Sequence, residues 1–454
     1  MKFLPTKQLF LLAGDIALIC VSFYLAPVLR FGVILDPSIV FGVSDLAAVI
    51  IYLLVLYVFD FYNIDRNPKK TNYVLRFLLA VFIANLIVAS FFYLFHLRPY
   101  STIILIISGF WTLVFLVLWR FVFISLFVYA TPQKVLILGA GAAGKSLCHL
   151  LQSRHDFKMV GFADDDPNKQ GKTSGDYSIL GKTEDLMTLV KEYGVDFIVV
   201  AVTTKRSVVF FQKLVEVKFS GVNVYEMPTF YEEFFGTIPV LHTTNMWLGF
   251  ADISGVKRNM YNTKLKKIFD KVMAVISIII AFPFMFLTII LIKLESRGPV
   301  FYHQTRVGWD ERTFGLIKFR SMRIDAEANG AVWAKENDPR VTRVGKVIRL
   351  LRIDELPQLW NVLKGDMSFV GPRPERPEFV ANLKKEIPFY SLRHSIRPGI
   401  TGWAQVNYPY GATVEDALAK LEYDLYYVKN VILTLDLIII AKTVRTVLFG
   451  KGAR

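Results

Sequence analysis

The chain has 454 residues, 54% of them hydrophobic, with a formal charge of +15 and two cysteines. That apolar content excludes a purely soluble protein, and the basic balance leaves a membrane protein with cytoplasmic domains or a nucleic-acid binder. The Lys and Arg residues are dispersed between apolar segments without an RNA- or DNA-binding motif, so no nucleic acid is expected, and Cys20 and Cys148 are too few for a disulfide framework or a zinc site.

Four apolar segments come first, at 9–29, 46–61, 74–97 and 102–129, each long enough or nearly so to cross a hydrocarbon core of about 30 Å. The first has only Lys2 and Lys7 before it, contains Asp15 and lacks a small-residue cleavage pattern, so it is expected to stay as a helix rather than leave as a signal peptide. Basic residues gather before it, at 66–70 with Arg76, and from Lys134 onward, whereas 32–45 has none. This asymmetry predicts a cytoplasmic N-terminus and a cytoplasmic remainder after the fourth helix.

From Lys134, K-V-L-I-L-G-A-G-A-A-G reads as a strand followed by G-x-G-x-x-G at Gly139, Gly141 and Gly144, entering a helix. Such glycines permit a tight turn and close approach of backbone amides to a pyrophosphate. A second strand, 159–163, ends in Asp164-Asp165-Asp166, where a ribose-binding acid belongs, and 196–202 reads as a third, buried and parallel. A Rossmann-like unit is expected; its glycines serve either a nucleotide or packing alone.

The apolar run 272–292 is interrupted by Pro283 and flanked by basic residues on both sides, among them Lys264, Lys271, Lys293 and Arg297. A spanning helix would put one cluster on the wrong side, so a proline-bent helix that enters and leaves by one face fits better than a fifth crossing.

Beyond it, 314–320 reads as a strand with Lys318 and Arg320 on one face, since i and i+2 project together. The polar stretch 325–339 reads as a loop over a site, and 431–449 as an interfacial or core helix. The stretch R-L-L-R-I-D-E-L-P-Q-L-W-N-V-L-K-G-D-M-S-F-V-G-P-R-P, from Arg349 to Pro374, is the most informative in the chain. Leu356, Leu359, Trp360 and Leu363 recur at helical spacing, which places Asp354 at or beside an N-cap, where amides and the helix dipole favour its ionised form. An ionised carboxylate near phosphate can act as a nucleophile, its neighbour Glu355 can hold Mg²⁺, and Arg349 and Arg373 supply phosphate-gripping forks. Ordinary capping also explains an Asp-Glu pair, but not K-F-R at 318–320, Arg373 between two prolines, or R-H-S-I-R-P-G at 393–399 with its Arg397.

K-F-R-S-M at 318–322, D-E-L-P-Q-L-W-N-V-L-K-G-D-M-S at 354–368, V-G-P-R-P at 370–374 and R-P-G-I-T-G-W-A-Q-V-N at 397–407 together resemble the bacterial sugar transferases over about 261–454. These are polyprenyl-phosphate hexose-1-phosphate transferases that begin exopolysaccharide and O-antigen synthesis. P-E-R-P-E-F and the ending Y-D-L-Y-Y-V-K-N…L-F-G-K-G-A-R are similar to the exopolysaccharide branch. The resemblance implies Asp354 as nucleophile, Glu355 as its metal-coordinating partner, Arg349 and Arg373 as phosphate binders, and a re-entrant membrane helix. The chain departs from the family at Arg352, usually Ser or Thr, which adds charge beside the nucleophile, and at Phe282, usually Ser.

The expected organisation is four transmembrane helices (1–130), a Rossmann-like α/β domain (131–255), a re-entrant membrane helix (256–297) and a small α+β catalytic domain (298–454) at the cytoplasmic face of a bacterial inner membrane. Asp354 and Glu355 are the catalytic and Mg²⁺-holding residues. Lys318, Arg320, Arg349, Arg373 and Arg397 bind substrate phosphate, and Gly139, Gly141, Gly144 and Asp164 would meet a nucleotide. The expected partners are a UDP-sugar, undecaprenyl phosphate and the bilayer, with a nucleotide on the Rossmann-like unit and a second copy of the chain as further candidates. Two rival functions are compatible with helices followed by a dinucleotide fold. A membrane-anchored nucleotide-sugar dehydratase or epimerase needs Tyr-x-x-x-Lys, and no tyrosine here has lysine four residues on. A non-catalytic nucleotide-binding sensor predicts no turnover from residues 261–454.

Overall fold

All four leading segments form helices, Thr6–Phe31, Val43–Val58, Thr71–Leu94 and Thr102–Phe123. They belong to a computed structural model that describes residues 6–32, 34, 42–62, 71–95, 102–128, 132–154, 156–202, 207–257, 259–324, 326, 338–409, 411 and 413–448. The basic stretch 66–70 and nearly all of the expected loop 325–339 lie outside the described residues. Contacts divide the chain into two units, Met1–Glu226 and Met227–Arg454.

Three of these helices are long and apolar enough to cross a membrane, over Gln8–Phe31, Val74–Leu94 and Ile103–Leu126. Val43–Val58, at 16 residues, reaches only about 24 Å at 1.5 Å per residue, short of a full hydrocarbon core. Ile19, Phe23, Leu56, Val81 and Leu116 bury one another in the middle of the group, while Leu46, Phe82, Ile106 and Phe121 remain exposed, the arrangement a lipid solvent allows. Asp15 meets Arg120 at 2.7 Å with both side chains buried, and the guanidinium lies over the rings of Tyr62 and Phe77. In hydrocarbon neither charge is tolerated alone. Asp15→Leu is therefore expected to destabilise the protein by about 3–5 kcal/mol, read as a lowered Tm in detergent, and adding Arg120→Met should restore most of it. An unchanged Tm in the single variant would contradict this pairing.

The α/β part carries a six-stranded sheet in the order β3-β4-β2-β1-β5-β6, with β1 Gln133–Leu138, β2 Phe157–Ala163, β3 Thr173–Ser174, β4 Tyr177–Gly181, β5 Phe197–Val200 and β6 Asn223–Glu226. Every pairing is parallel except β3 with β4, so the sheet is mixed. Leu136, Leu138, Ile198 and Val200 pack with Leu186, Leu189, Phe210 and Val217 from helices Leu186–Tyr193 and Val208–Phe219. Burial on this scale explains why the central strands read as continuous apolar runs.

Residues 227–255, expected with the Rossmann-like domain, pack instead within the second unit. Trp403 donates to the Gly236 carbonyl at 2.7 Å, the Ile238 amide to the Glu422 carbonyl at 3.1 Å, and Lys429 pairs with Glu232. No composition shift marks that boundary, because it is made by contacts more than 160 residues apart.

The run around Pro283 forms one helix, Lys266–Glu295, that continues through the proline rather than breaking there. Its N-terminal part is fixed by Asp270, which accepts from the Ser368 hydroxyl at 2.8 Å and the Phe369 amide at 3.1 Å. At the other end Glu295 accepts from the amides of Arg343 and Val344 at 2.6 and 3.1 Å. Between them Ile279, Ile280, Phe282, Phe284 and Phe286 are each more than half exposed. The strand expected at 314–320 is β8, Thr313–Phe319, paired antiparallel with β7, Phe301–Val307. β9, Ser368–Val370, pairs in parallel with β10, Gly399–Thr401. The terminal helix Leu433–Leu448 buries Leu435 and Ile439 but exposes Leu437, Val444 and Val447.

Candidate active site

Thr342 caps the helix Arg343–Leu350 by accepting from the Gly345 amide at 2.9 Å, which sets Arg349 in the last turn. The chain then reverses through Arg352, a non-glycine residue at φ +57°, into a 3₁₀ turn, Ile353–Glu355. Arg352 therefore holds a strained backbone next to the Asp-Glu pair. The next helix, Gln358–Lys364, starts three residues later than its periodicity suggested, with Pro357 as N-cap. Residue 357 has no N–H to give the Ile353 carbonyl, so that oxygen accepts from Leu356 in 3₁₀ fashion at 3.1 Å. Asp354 is thus not a helix cap. Asn361 fastens this helix to β8, accepting from the Ile317 amide at 3.1 Å and donating to the Gly315 carbonyl at 2.8 Å.

This places Lys318 of β8 beside Glu355, with Nζ 3.3 Å from Oε1. Arg373 reaches the same oxygen at 2.5 Å, and Arg352 lies 3.9 Å from Oε2. Burial would raise the Glu355 pKa, but Arg373 and Lys318 outweigh it and hold the carboxylate well below its usual range. Burial likewise lowers the pKa of the Lys318 ammonium, opposed by Glu355. Asp354 is 8% exposed and makes no hydrogen bond or ion pair among the described residues. Its burial, then the neighbouring Glu355 charge, push it up to about 6 against the pull of Lys318, Arg349 and Arg373. One carboxylate is saturated with cations; the other is left with unpartnered oxygens in their field.

Arg373 is positioned by its backbone. The Gly399 amide donates to the Pro372 carbonyl at 2.9 Å, Arg306 to that of Pro374 at 3.1 Å and Arg393 to that of Arg373 at 2.9 Å. A Cβ at Gly399 would meet the Gly371 nitrogen at 2.1 Å, so the P-R-P and R-P-G segments can lie this close only with glycine there. Arg393 is buried and pairs with buried Asp424 at 2.7 Å. The charge density of R-H-S-I-R-P-G marks the segment but not which of its arginines is buried, and Asp424 lies outside every charged motif.

Asp354, Glu355, Lys318, Arg349, Arg352 and Arg373 line one partly open cavity of about 630 Å³. Arg320 also borders it, but its guanidinium donates to the carbonyls of Ser296 and Arg297 and to the Ser296 hydroxyl at 2.8–3.0 Å, fastening the end of the long helix. Arg397 is outside the lining and sits over the Trp309 ring, 5.4 Å from its centroid. The expected phosphate set is therefore brought together in three of its five members. Among the described residues no group of three or more His, Cys, Asp or Glu could hold a metal by itself, so Asp354 and Glu355 would need oxygens from a phosphate ligand to complete a Mg²⁺ shell.

In the α/β part, Gly139 has φ +103°, and a Cβ at Gly144 would strike the Gly139 carbonyl oxygen at 2.0 Å, so both glycines are required by the turn itself. Gly141 faces open space at the N-terminus of the helix Ala142–Gln152. Asp164 turns onto the loop, accepting from the Ala140 amide at 2.7 Å and from Lys169 at 2.9 Å. Burial opposes these bonds, yet the amides and Lys169 keep its pKa below the ordinary value.

Two family models match the chain, one described as bacterial sugar transferase over residues 261–450 and one as CoA-binding domain over 57–228. A UDP-N-acetylgalactosamine-undecaprenyl-phosphate N-acetylgalactosaminephosphotransferase of Aeromonas hydrophila is 56% identical over 42% of this chain and 45% of its own length. An undecaprenyl-phosphate glucose phosphotransferase of Komagataeibacter xylinus is 34% identical over 71% of this chain and 60% of its own. A UDP-glucose:undecaprenyl-phosphate glucose-1-phosphate transferase of Klebsiella pneumoniae is 31% identical over 71% and 69%. The chain thus spans roughly half the length of the first two relatives.

Proposed function

Because the chain belongs to the bacterial sugar transferase family, we propose that it moves a hexose-1-phosphate from a UDP-sugar to undecaprenyl phosphate, releasing UMP, as the first step of exopolysaccharide or O-antigen synthesis. The observation that carries this reading is the unpartnered Asp354 carboxylate beside a cation-saturated Glu355 in an arginine-rich cavity. An Asp354 oxygen attacks the phosphorus bearing the sugar, a P–O bond forms, and the bridging P–O bond breaks with its electrons leaving on UMP. A phosphate oxygen of the polyprenyl phosphate then attacks the same phosphorus and returns Asp354 as carboxylate. Arg349 and Arg373 hold the phosphoryl oxygens, Lys318 adds charge at the site, and Arg352 and Lys318 keep Glu355 ionised. A Mg²⁺ would be held by Asp354 and oxygens of the donor's diphosphate, with Glu355 joining only by giving up part of its contact with Lys318 or Arg373, and would neutralise phosphate charge.

The long helix is read as re-entrant, with the catalytic unit on the cytoplasmic face of the inner membrane. By length and composition Tyr261–Glu295 is a candidate membrane span; the fastening of both of its ends to one small domain, with its apolar middle exposed, supports the re-entrant reading. A nucleotide on the Rossmann-like unit would have to lift Asp164 off the Ala140 amide.

Purified protein incubated with a panel of UDP-sugars and undecaprenyl phosphate should release UMP with at least one of them; no UMP from any donor would end this reading. The nucleophile must be ionised and its pKa is raised to about 6. Single-turnover UMP release should therefore fall tenfold per pH unit in acid below that value and level off above it. A rate that rises toward acid would contradict attack by an ionised Asp354 carboxylate.

A further inference from the structure

Ala404, Gln405 and Val406, which line the cavity, come from a helix of only five residues, Trp403–Asn407. So short a helix does not hold itself in water, and Gly402 before it has no side chain with which to cap it. Contacts with distant residues set its place instead. A Cβ at Gly402 would meet the Gly371 carbonyl oxygen at 2.2 Å, so the helix starts hard against the V-G-P-R-P turn that carries Arg373. Lys442 of the terminal helix holds both of its ends, with Nζ 4.5 Å from the centre of the Trp403 ring and 2.7 Å from the Asn407 side-chain oxygen. The Trp403 ring also stacks on Tyr426, their centroids 5.7 Å apart.

The remaining partner comes from outside the transferase domain. The Trp403 indole N–H donates to the Gly236 carbonyl at 2.7 Å, and residue 236 lies between the two ranges that the family models match, 57–228 and 261–450. Gly236 has φ +64°, and a Cβ there would meet the Trp403 ring at 3.2 Å, so this position both presents its carbonyl and admits the ring only as glycine. Its surroundings are firmly seated. Phe230, Ile238 and Val240 are buried, and the Val240 amide donates to the Glu422 carboxylate at 3.2 Å. We propose that Trp403, which does not itself line the cavity, is a positioning residue: braced on the Gly236 carbonyl, it fixes the wall formed by Ala404, Gln405 and Val406 against which a substrate is aligned. This rests on the proposed transfer reaction and adds a support for its site that lies upstream of the matched transferase domain.

The test uses the full-length enzyme in detergent. Trp403→Phe keeps an aromatic ring but loses the N–H, and Gly236→Ala leaves Trp403 in place while pressing on its ring. Each should raise KM for the UDP-sugar, the polyprenyl phosphate or both by at least about threefold, the scale of one neutral hydrogen bond, with kcat within about twofold of the unmodified enzyme. A rise for the donor alone assigns the wall to the UDP-sugar and a rise for the acceptor alone assigns it to the lipid phosphate; either supports the inference. A merely structural role would instead reduce the fraction of active molecules, so that kcat falls while both KM values stay. That result would overturn the inference, as would unaltered KM and kcat in both variants. Because the two changes act on one contact, the double variant should raise KM no more than the larger single one; rises that multiply would separate Gly236 from the wall and refute its role. Gly236→Ala decides the matter if Trp403→Phe does not fold. Absence of UMP from unmodified enzyme with every donor would remove the transfer reaction itself, a failure distinct from an unmoved KM in an active enzyme.

Discussion

Asp354→Asn is expected to abolish UMP release in a single turnover and the lipid product with it, each by at least about 10⁴-fold, the scale seen when a nucleophile is removed. The substitution is nearly isosteric, and it replaces a carboxylate that burial already penalises. Folding should not suffer, and Tm should hold or rise. Loss of activity with an intact thermal transition would therefore report on chemistry rather than structure. UMP released at the normal rate by this variant would eliminate the aspartyl intermediate and leave direct attack of the lipid phosphate on the bound donor.

Arg373→Ala should lower kcat/KM by about 10³-fold, as for other cations that meet a transferring phosphoryl group. Two effects combine. The phosphate loses a fork, and Glu355 loses its 2.5 Å partner, so the depressed carboxylate rises and the charge balance around Asp354 shifts with it. Arg373→Lys should recover little, because an ammonium cannot replace the two-pronged contact or the reach set by the P-R-P backbone. A lysine variant with near-normal kcat/KM would mean that Arg373 contributes only net charge.

Three of the four leading helices were legible because a membrane span demands a length and composition of each helix independently of its neighbours; Val43–Val58 was legible from its apolar composition alone. The strands around Leu136 and Ile198 were legible for a related reason, since a strand buried on both faces must be apolar throughout. The Asp-Glu pair and Arg373 were legible through the density of charged and proline residues in a short span. The fate of Arg320 was not. Its i, i+2 relation to Lys318 is correct for a strand, but β8 ends at Phe319, and the guanidinium is drawn to carbonyls at the end of a helix that the sequence places more than 20 residues earlier. Arg397 is likewise placed by a distant partner, Trp309 lying far back in the chain.

By itself the sequence determined which segments form apolar helices, which form the central strands, and which residue types gather around Asp354, since these depend on local composition and period. Tertiary structure decided the rest. It placed 227–255 in the second unit, shifted the helix start to Gln358, and gave Glu355 all of its cations while leaving Asp354 without a partner among the described residues. Those outcomes depend on which distant groups share a low-dielectric space, where a few ångströms determine whether a carboxylate is neutralised or left to react.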